Sequence, residues 1–321
     1  MIALLHFRYY GGFGAEPTGF RGGYLAVEFF FLTSGFFLMK RIEEQWGKGE
    51  GSITLAVWKY AKARYIRLFI PYFLTVTVAM LLRIFVWKNL YWKDYLIHGL
   101  YEIFMLQSFG FPYVTLILWY ASALLIASVF LYWVALSMKE QYLILLLFFV
   151  PGILSMLYQQ YGHIDLTMGK SFLVTAGLWR AVAELGAGCL MYQAVKHLKA
   201  QIHGRFRISS TVFEMVLLLF ILWIMFRTYR DIKDFPLLLL MILFLTSTML
   251  ESSALQIVFR HKCFSYLGEV SYAFYLVQAI SLQIFATLPE RMTYWFAACC
   301  FLLGNFILAV GIYEASKRFL S

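Results

Sequence analysis

Apolar stretches of near-bilayer length, separated by short polar segments, recur along the whole chain. The first, Met1 to Tyr10, is about half a span and ends at the glycine-rich turn GGFG. Tyr24 to Met39 follows, then a basic loop carrying Lys40, Arg41, Lys48, Lys59, Lys62 and Arg64. Tyr65 to Val86 is the third span. Asn89 to Phe111 is aromatic and amphipathic, which predicts a segment lying at the interface rather than crossing it. Val114 to Leu136, Tyr142 to Tyr158, Phe172 to Val195, Val212 to Phe226, Pro236 to Leu250, Tyr266 to Phe285 and Trp295 to Tyr313 complete the set. A helix needs about 20 apolar residues to cross the hydrocarbon core, and the runs lack the polar–apolar alternation of a membrane barrel. The pattern predicts an all-α polytopic membrane protein of about ten transmembrane helices, the first truncated, forming a single domain over residues 1–321.

Composition and charge sharpen that picture. The chain is 62% hydrophobic with a mean hydropathy of +0.74, whereas soluble domains run near half apolar. The net charge of +10 is scattered between spans rather than gathered into one patch. It therefore reads as the loop bias of a membrane protein, and no nucleic-acid partner is expected. Most of the lysines and arginines fall in alternate loops, among them Lys40, Arg41, Lys139, Lys196, Arg260 and Lys317. That places both termini in the cytoplasm of a multi-pass protein of the cell membrane. Cys189, Cys263, Cys299 and Cys300 show neither metal-site nor disulfide spacing, and no metal is expected. No basic segment precedes MIALLHF, so the first residues do not resemble a cleavable signal.

Several residues do not belong in lipid. Glu28 interrupts the otherwise apolar or small run from Tyr24 to Met39, at a cost of a few kcal/mol. With the first helix running outward and the second inward, His6 and Glu28 both lie about 6 Å below the same surface at 1.5 Å per residue. Consecutive antiparallel helices are neighbours, so the two are expected to meet. A carboxylate beside a histidine fixes the tautomer and makes the other ring nitrogen a better base. The same pair could equally serve only to tie two helices together.

Three further sets carry candidate chemistry. KARYIRLFIPY places Lys62, Arg64 and Arg67 at the mouth of the third helix, with the two arginines one turn apart. They are suited to an anionic ligand, and equally to an ordinary charged flank. LWRAVAELGAG places Arg180 and Glu184 four apart in the sixth span, an expected intramembrane ion pair. YLGEVSYAFYLVQ lines up Ser271, Tyr275 and Gln278, with Tyr272 nearer the cytoplasmic half. Such a stripe binds a substrate or joins helices.

Together these stretches resemble the acyltransferase 3 family of integral membrane acyltransferases that modify cell-surface sugars. LAVEFFFLTSGFFL, with Ser34 and Gly35, is similar to the family's second helix. KARYIRLFIPY is similar to its basic entry to the third. WYASALL, beginning at Trp119 and Tyr120, resembles the tryptophan-led fourth helix, and LGEVSYAFYLVQ the late serine–tyrosine signature. Two positions depart. The family's arginine would fall about eleven residues before His6, upstream of Met1, so either the start lies upstream or the chain is a shortened, inactive member. The family's late histidine is Gln278 here.

The resemblance implies an O-acyltransferase with no bound cofactor, using acyl-CoA, usually acetyl-CoA, as co-substrate. The acceptor would be a hydroxyl of a glycan or lipid-linked sugar, and the setting membrane lipid and polysaccharide-synthesis machinery. His6 would be the base or acyl relay, Glu28 would orient it, and Lys62, Arg64 and Arg67 would hold the donor phosphates. Ser34, Trp119, Tyr120, Arg180, Glu184, Ser271, Tyr272, Tyr275 and Gln278 would support the pocket. Two other readings fit the same scaffold: a glycan or small-anion transporter or flippase, and a non-catalytic member of a synthesis complex. Paired Gly or Pro breaks near the midplane, a transporter feature, are scarce.

Overall fold

The computed structural model describes residues 1–10, 21–48, 51–88, 92–111, 113, 116–171, 173–201, 207–250, 253–286 and 293–320. The GGFG turn and the expected span starts at Val114 and Phe172 lie outside them. Helices dominate: α1 (Ile2–Tyr10), α2 (Ala26–Trp46), α3 (Ile53–Leu81), α4 (Trp92–Ile103), α5 (Trp119–Met138), α6 (Gln141–Tyr161) and α7 (Ala176–Gln201). Then come α8 (Arg207–Arg227), α9 (Asp234–Met249), α10 (Leu255–Phe259), α11 (Lys262–Leu276), α12 (Gln278–Phe285) and α13 (Tyr294–Leu320). A two-residue antiparallel pairing, β1 (Lys170–Ser171) with β2 (Val174–Thr175), closes the loop before α7.

Among the described residues six helical stretches are long and apolar enough to cross a membrane: Arg21–Trp46, Ile53–Val86, Trp119–Met138, Gln141–Tyr161, Ile208–Arg227 and Tyr294–Phe319. The apolar helix Asp234–Met249 is shorter. α7 is long enough at 26 residues. Its middle, however, trades lipid-facing side chains for glycine, alanine and the Arg180–Glu184 pair, because it is buried among its neighbours rather than against lipid. The amphipathic Asn89–Phe111 stretch contains the short helix α4, as its pattern suggests.

Two expected boundaries change. The third helix begins at Ile53, capped by Ser52, so Lys59, Lys62 and Arg64 are helical rather than in a loop. The expected continuous helix over Tyr266–Phe285 breaks at Val277 into α11 and α12. Two side chains enter the ladder there, since Gln278 Nε2 and Asn305 Nδ2 both donate to the Phe274 carbonyl, at 3.3 and 2.9 Å.

The centre of the molecule is the pairing of α2 with α7, which run in the same direction. Glu28 meets Arg180 near one end, Gly35 meets Cys189 in the middle (Sγ to O 3.3 Å), and Glu43 meets Lys196 (2.9 Å) near the other. The near-constant offset of these pairs is the signature of parallel packing at equal rise. Glycine permits it. A Cβ on Gly35 would stand 2.1 Å from the Leu185 carbonyl oxygen, and one on Gly188 2.2 Å from that of Leu32. Small residues let membrane helices approach to backbone contact, which brings Glu28 within reach of an arginine 152 positions later.

Candidate active site

Among the described residues Arg180 is the largest fully buried side chain. Its Nη2 donates to Glu28 Oε1 at 2.5 Å, and its Nε lies 3.2 Å from both Glu28 Oε2 and Glu184 Oε1. Nη1 donates to the Leu166 carbonyl at 3.3 Å and Nη2 to that of Tyr24 at 3.4 Å. The Trp119 ring lies 5.6 Å from the guanidinium carbon, close enough for a cation–π contact. The expected Arg180–Glu184 ion pair is present. The expected meeting of Glu28 with His6 is replaced: Glu28 turns both carboxylate oxygens to Arg180. An arginine fork satisfies two oxygens of a buried carboxylate at once, which an imidazole does not.

His6 pairs with Gln278 instead, Nδ1 to Oε1 at 2.7 Å. The geometry assigns the tautomer. Because Gln278 Nε2 donates to Phe274 O, its Oε1 faces His6 and can only accept, so the proton sits on Nδ1 and Nε2 is the basic nitrogen. The break at Val277 is what turns Gln278 toward α1.

Two cavities share the walls Ile2, Val27 and Tyr275. The first, about 310 Å³, is lined by His6, Tyr9, Trp119, Asp165, Arg180 and Arg230, with Tyr24 and Tyr229 beside them. The second, about 170 Å³, is lined by Ser34, Arg64, Leu68, Tyr120, Ser271 and Tyr272. Arg64 Nε is buried there without a hydrogen-bond partner. Tyr275 anchors the shared wall by donating to the Ile117 carbonyl, and Tyr272 donates to that of Leu68 at 3.2 Å. Lys62 and Arg67 are exposed and line neither cavity. Arg64 thus points inward and Arg67 outward, although one turn separates them.

Sequence reasoning missed the rim of the His6 cavity. Asp165 and Arg230, from the loops after α6 and α8, form an ion pair at 2.9 Å. Asp234 accepts from Tyr24 Oη (2.8 Å) and from the Ile164 amide (3.1 Å), and the Arg230 amide donates to Tyr24 Oη (2.7 Å). Three successive loop residues, Ile164, Asp165 and Leu166, are therefore held by Asp234, Arg230 and Arg180. Burial opposes the charge on Arg230, but the Asp165 carboxylate outweighs it and raises its pKa above the usual guanidinium value. Burial holds His163 below the usual imidazole value despite Asp165. Nothing in the local pattern marks these residues, because loop polarity is the default. Only contacts between distant segments single them out.

A family model described as an acyltransferase domain matches residues 1–314, essentially the whole chain, and the protein belongs to that family. No curated protein and no solved structure matches the chain. With its apolar helices, the family makes this a multi-pass membrane protein of acyltransferase type.

Proposed function

We propose that this acyltransferase moves an acyl group, acetyl in the first instance, from acyl-CoA on the cytoplasmic side to a hydroxyl of a cell-surface or lipid-linked glycan, with His6 at the point of transfer. The supporting observation is that the His6 cavity and the Arg64 cavity share the walls Ile2, Val27 and Tyr275. An anionic donor head held at Arg64 could pass its thioester along that shared wall toward His6. The unpartnered Nε of Arg64 suits a phosphate oxygen.

In the chemistry that follows, His6 Nε2 takes the proton of the acceptor hydroxyl as its oxygen attacks the thioester carbonyl. The new C–O bond forms, the C–S bond breaks, and the proton leaves with the coenzyme thiol. A relay through an acyl-histidine would use the same nitrogen. Gln278 keeps the proton on Nδ1 in either case. It supplies the orientation a carboxylate would, but no negative charge to steady the imidazolium. Arg180 lines the same cavity, and its Nη1 retains an N–H beyond the bond to Leu166 that can face a developing oxyanion. Glu28 and Glu184 hold the guanidinium in place.

The test is base-labile acetyl on the host's surface glycan after gene deletion. Complementation with the wild-type frame, including any codons upstream, should restore it, and well-expressed His6→Ala should not. Restoration by both would make His6 structural. A deletion that removes no acetyl would overturn the assignment of donor and acceptor.

A further inference from the structure

We infer that the rim of the His6 cavity, built by Tyr9, Tyr229, Asp165 and Arg230, is the acceptor subsite and takes the ring of a neutral pyranose. The inference rests on the transfer reading above. Tyr9 and Tyr229 are 48% and 39% exposed, with ring centroids 6.2 Å apart and planes tilted by 34°. Two half-exposed aromatic rings lining a membrane-protein cavity offer rigid apolar faces at little conformational cost. Asp165 and Arg230 line the same cavity, one a pure acceptor and the other a pure donor. Apolar faces with a few convergent polar groups suit a flat ring that carries hydroxyls around its edge.

The subsite is preorganised. Arg230 has φ +46°, a conformation costly for a non-glycine residue. It is held there by the hydrogen bond its backbone N–H donates to Tyr24 Oη, which is itself fixed by Asp234. Tyr9 follows His6 by three residues on α1, so the two share a face and are about 4.5 Å apart along the axis. That is close to the width of one sugar ring. A pyranose against Tyr9 therefore presents a hydroxyl to His6.

Charge selects the class. Arg180 and Arg230 line the cavity, facing Asp165, with Glu28, Glu184 and Asp234 directly behind its wall. Burial lowers the His163 pKa, which disfavours a further positive charge there. Among the described residues the cations Arg180 and Arg230, with Arg8 acting on Tyr9, are matched by Asp165, Glu28, Glu184 and Asp234, so the pocket is not built for a phosphate or uronate acceptor.

The experiment uses the full chain in lipid nanodiscs with radiolabelled acetyl-CoA and a panel of neutral methyl pyranosides, beside a methyl uronide. Wild type should label neutral pyranosides in preference to the uronide. Tyr229→Ala and Asp165→Asn should each raise the acceptor KM at least tenfold while the donor KM stays within twofold, a split that general misfolding does not produce. Unchanged acceptor KM in both variants, preference for the uronide, or no pyranoside labelled by a protein that still restores glycan acetylation in cells would overturn the subsite and leave the function standing. Loss of the function itself reads differently: deletion of the gene then leaves cellular acetyl intact.

Discussion

Replacing Gln278 with leucine isolates the tautomer argument. Gln278 is buried and makes two contacts, to His6 Nδ1 at 2.7 Å and to Phe274 O at 3.3 Å. The Phe274 carbonyl keeps Asn305 as a donor at 2.9 Å, so the break between α11 and α12 survives the substitution. The penalty then falls on the histidine, whose Nδ1–H loses the Gln278 acceptor. An unsatisfied buried donor costs about 1–3 kcal/mol. If the ring relieves that cost by changing tautomer or turning, Nε2 no longer faces the acceptor as a base. A barrier raised by that amount lowers kcat by about 5- to 150-fold. The assay is acetyl transfer in nanodiscs across donor and acceptor concentrations. Gln278→Leu should lower kcat within that range with both KM values nearly unchanged, and Gln278→Glu, which keeps an acceptor oxygen toward Nδ1, should recover most of the loss. A Gln278→Leu protein with wild-type kcat, beside an inactive His6→Ala, would refute the reasoning.

Three other outcomes follow from the packing and charge. Arg180→Met strips the counter-charge from Glu28 and Glu184, both fully buried, and should cost about 3–5 kcal/mol of stability. The triple change Arg180→Met, Glu28→Gln, Glu184→Gln should recover much of it, read as the unfolding midpoint in detergent; equal midpoints for wild type and Arg180→Met would contradict the burial argument. Arg64→Ala should raise the donor KM by about 10- to 150-fold, the worth of a lost charge-assisted hydrogen bond. Arg67→Ala, on the exposed side of α3, should change it little, and the reverse ranking would exchange their roles. Gly35→Ala forces a Cβ to 2.1 Å from a backbone oxygen and should cost at least about 1–3 kcal/mol. Gly152→Ala meets nothing within 4 Å and should gain about 0.5–1 kcal/mol, so comparable losses at both sites would dismiss the close α2–α7 crossing.

Local pattern determined a great deal of this protein. Apolar run length marked where most helices lie, and amphipathicity set α4 apart from the crossing segments. The spacing of Arg180 and Glu184, four residues on one helix, fixed their ion pair without any knowledge of the rest of the chain. Residue order and spacing also carried the family, since a run of motifs in sequence is a one-dimensional property. The tertiary structure decided partners. Rise per residue gave His6 and Glu28 a similar expected depth and adjacency of the first two helices made them expected neighbours, but depth does not say which way a side chain turns about its helix. The Gly35–Gly188 contact sets the rotation and register of α2 on α7, delivering Glu28 to Arg180. The break at Val277, invisible as periodicity because it spans a single residue, delivers Gln278 to His6. Arg64 and Arg67 look alike in sequence and part company once α3 is packed, Arg64 lining a cavity and Arg67 exposed. Asp165, Arg230 and Asp234 carry no local signal at all. A buried polar group must find a partner wherever in the chain one is near, and nearness between distant segments exists only after the helices have packed.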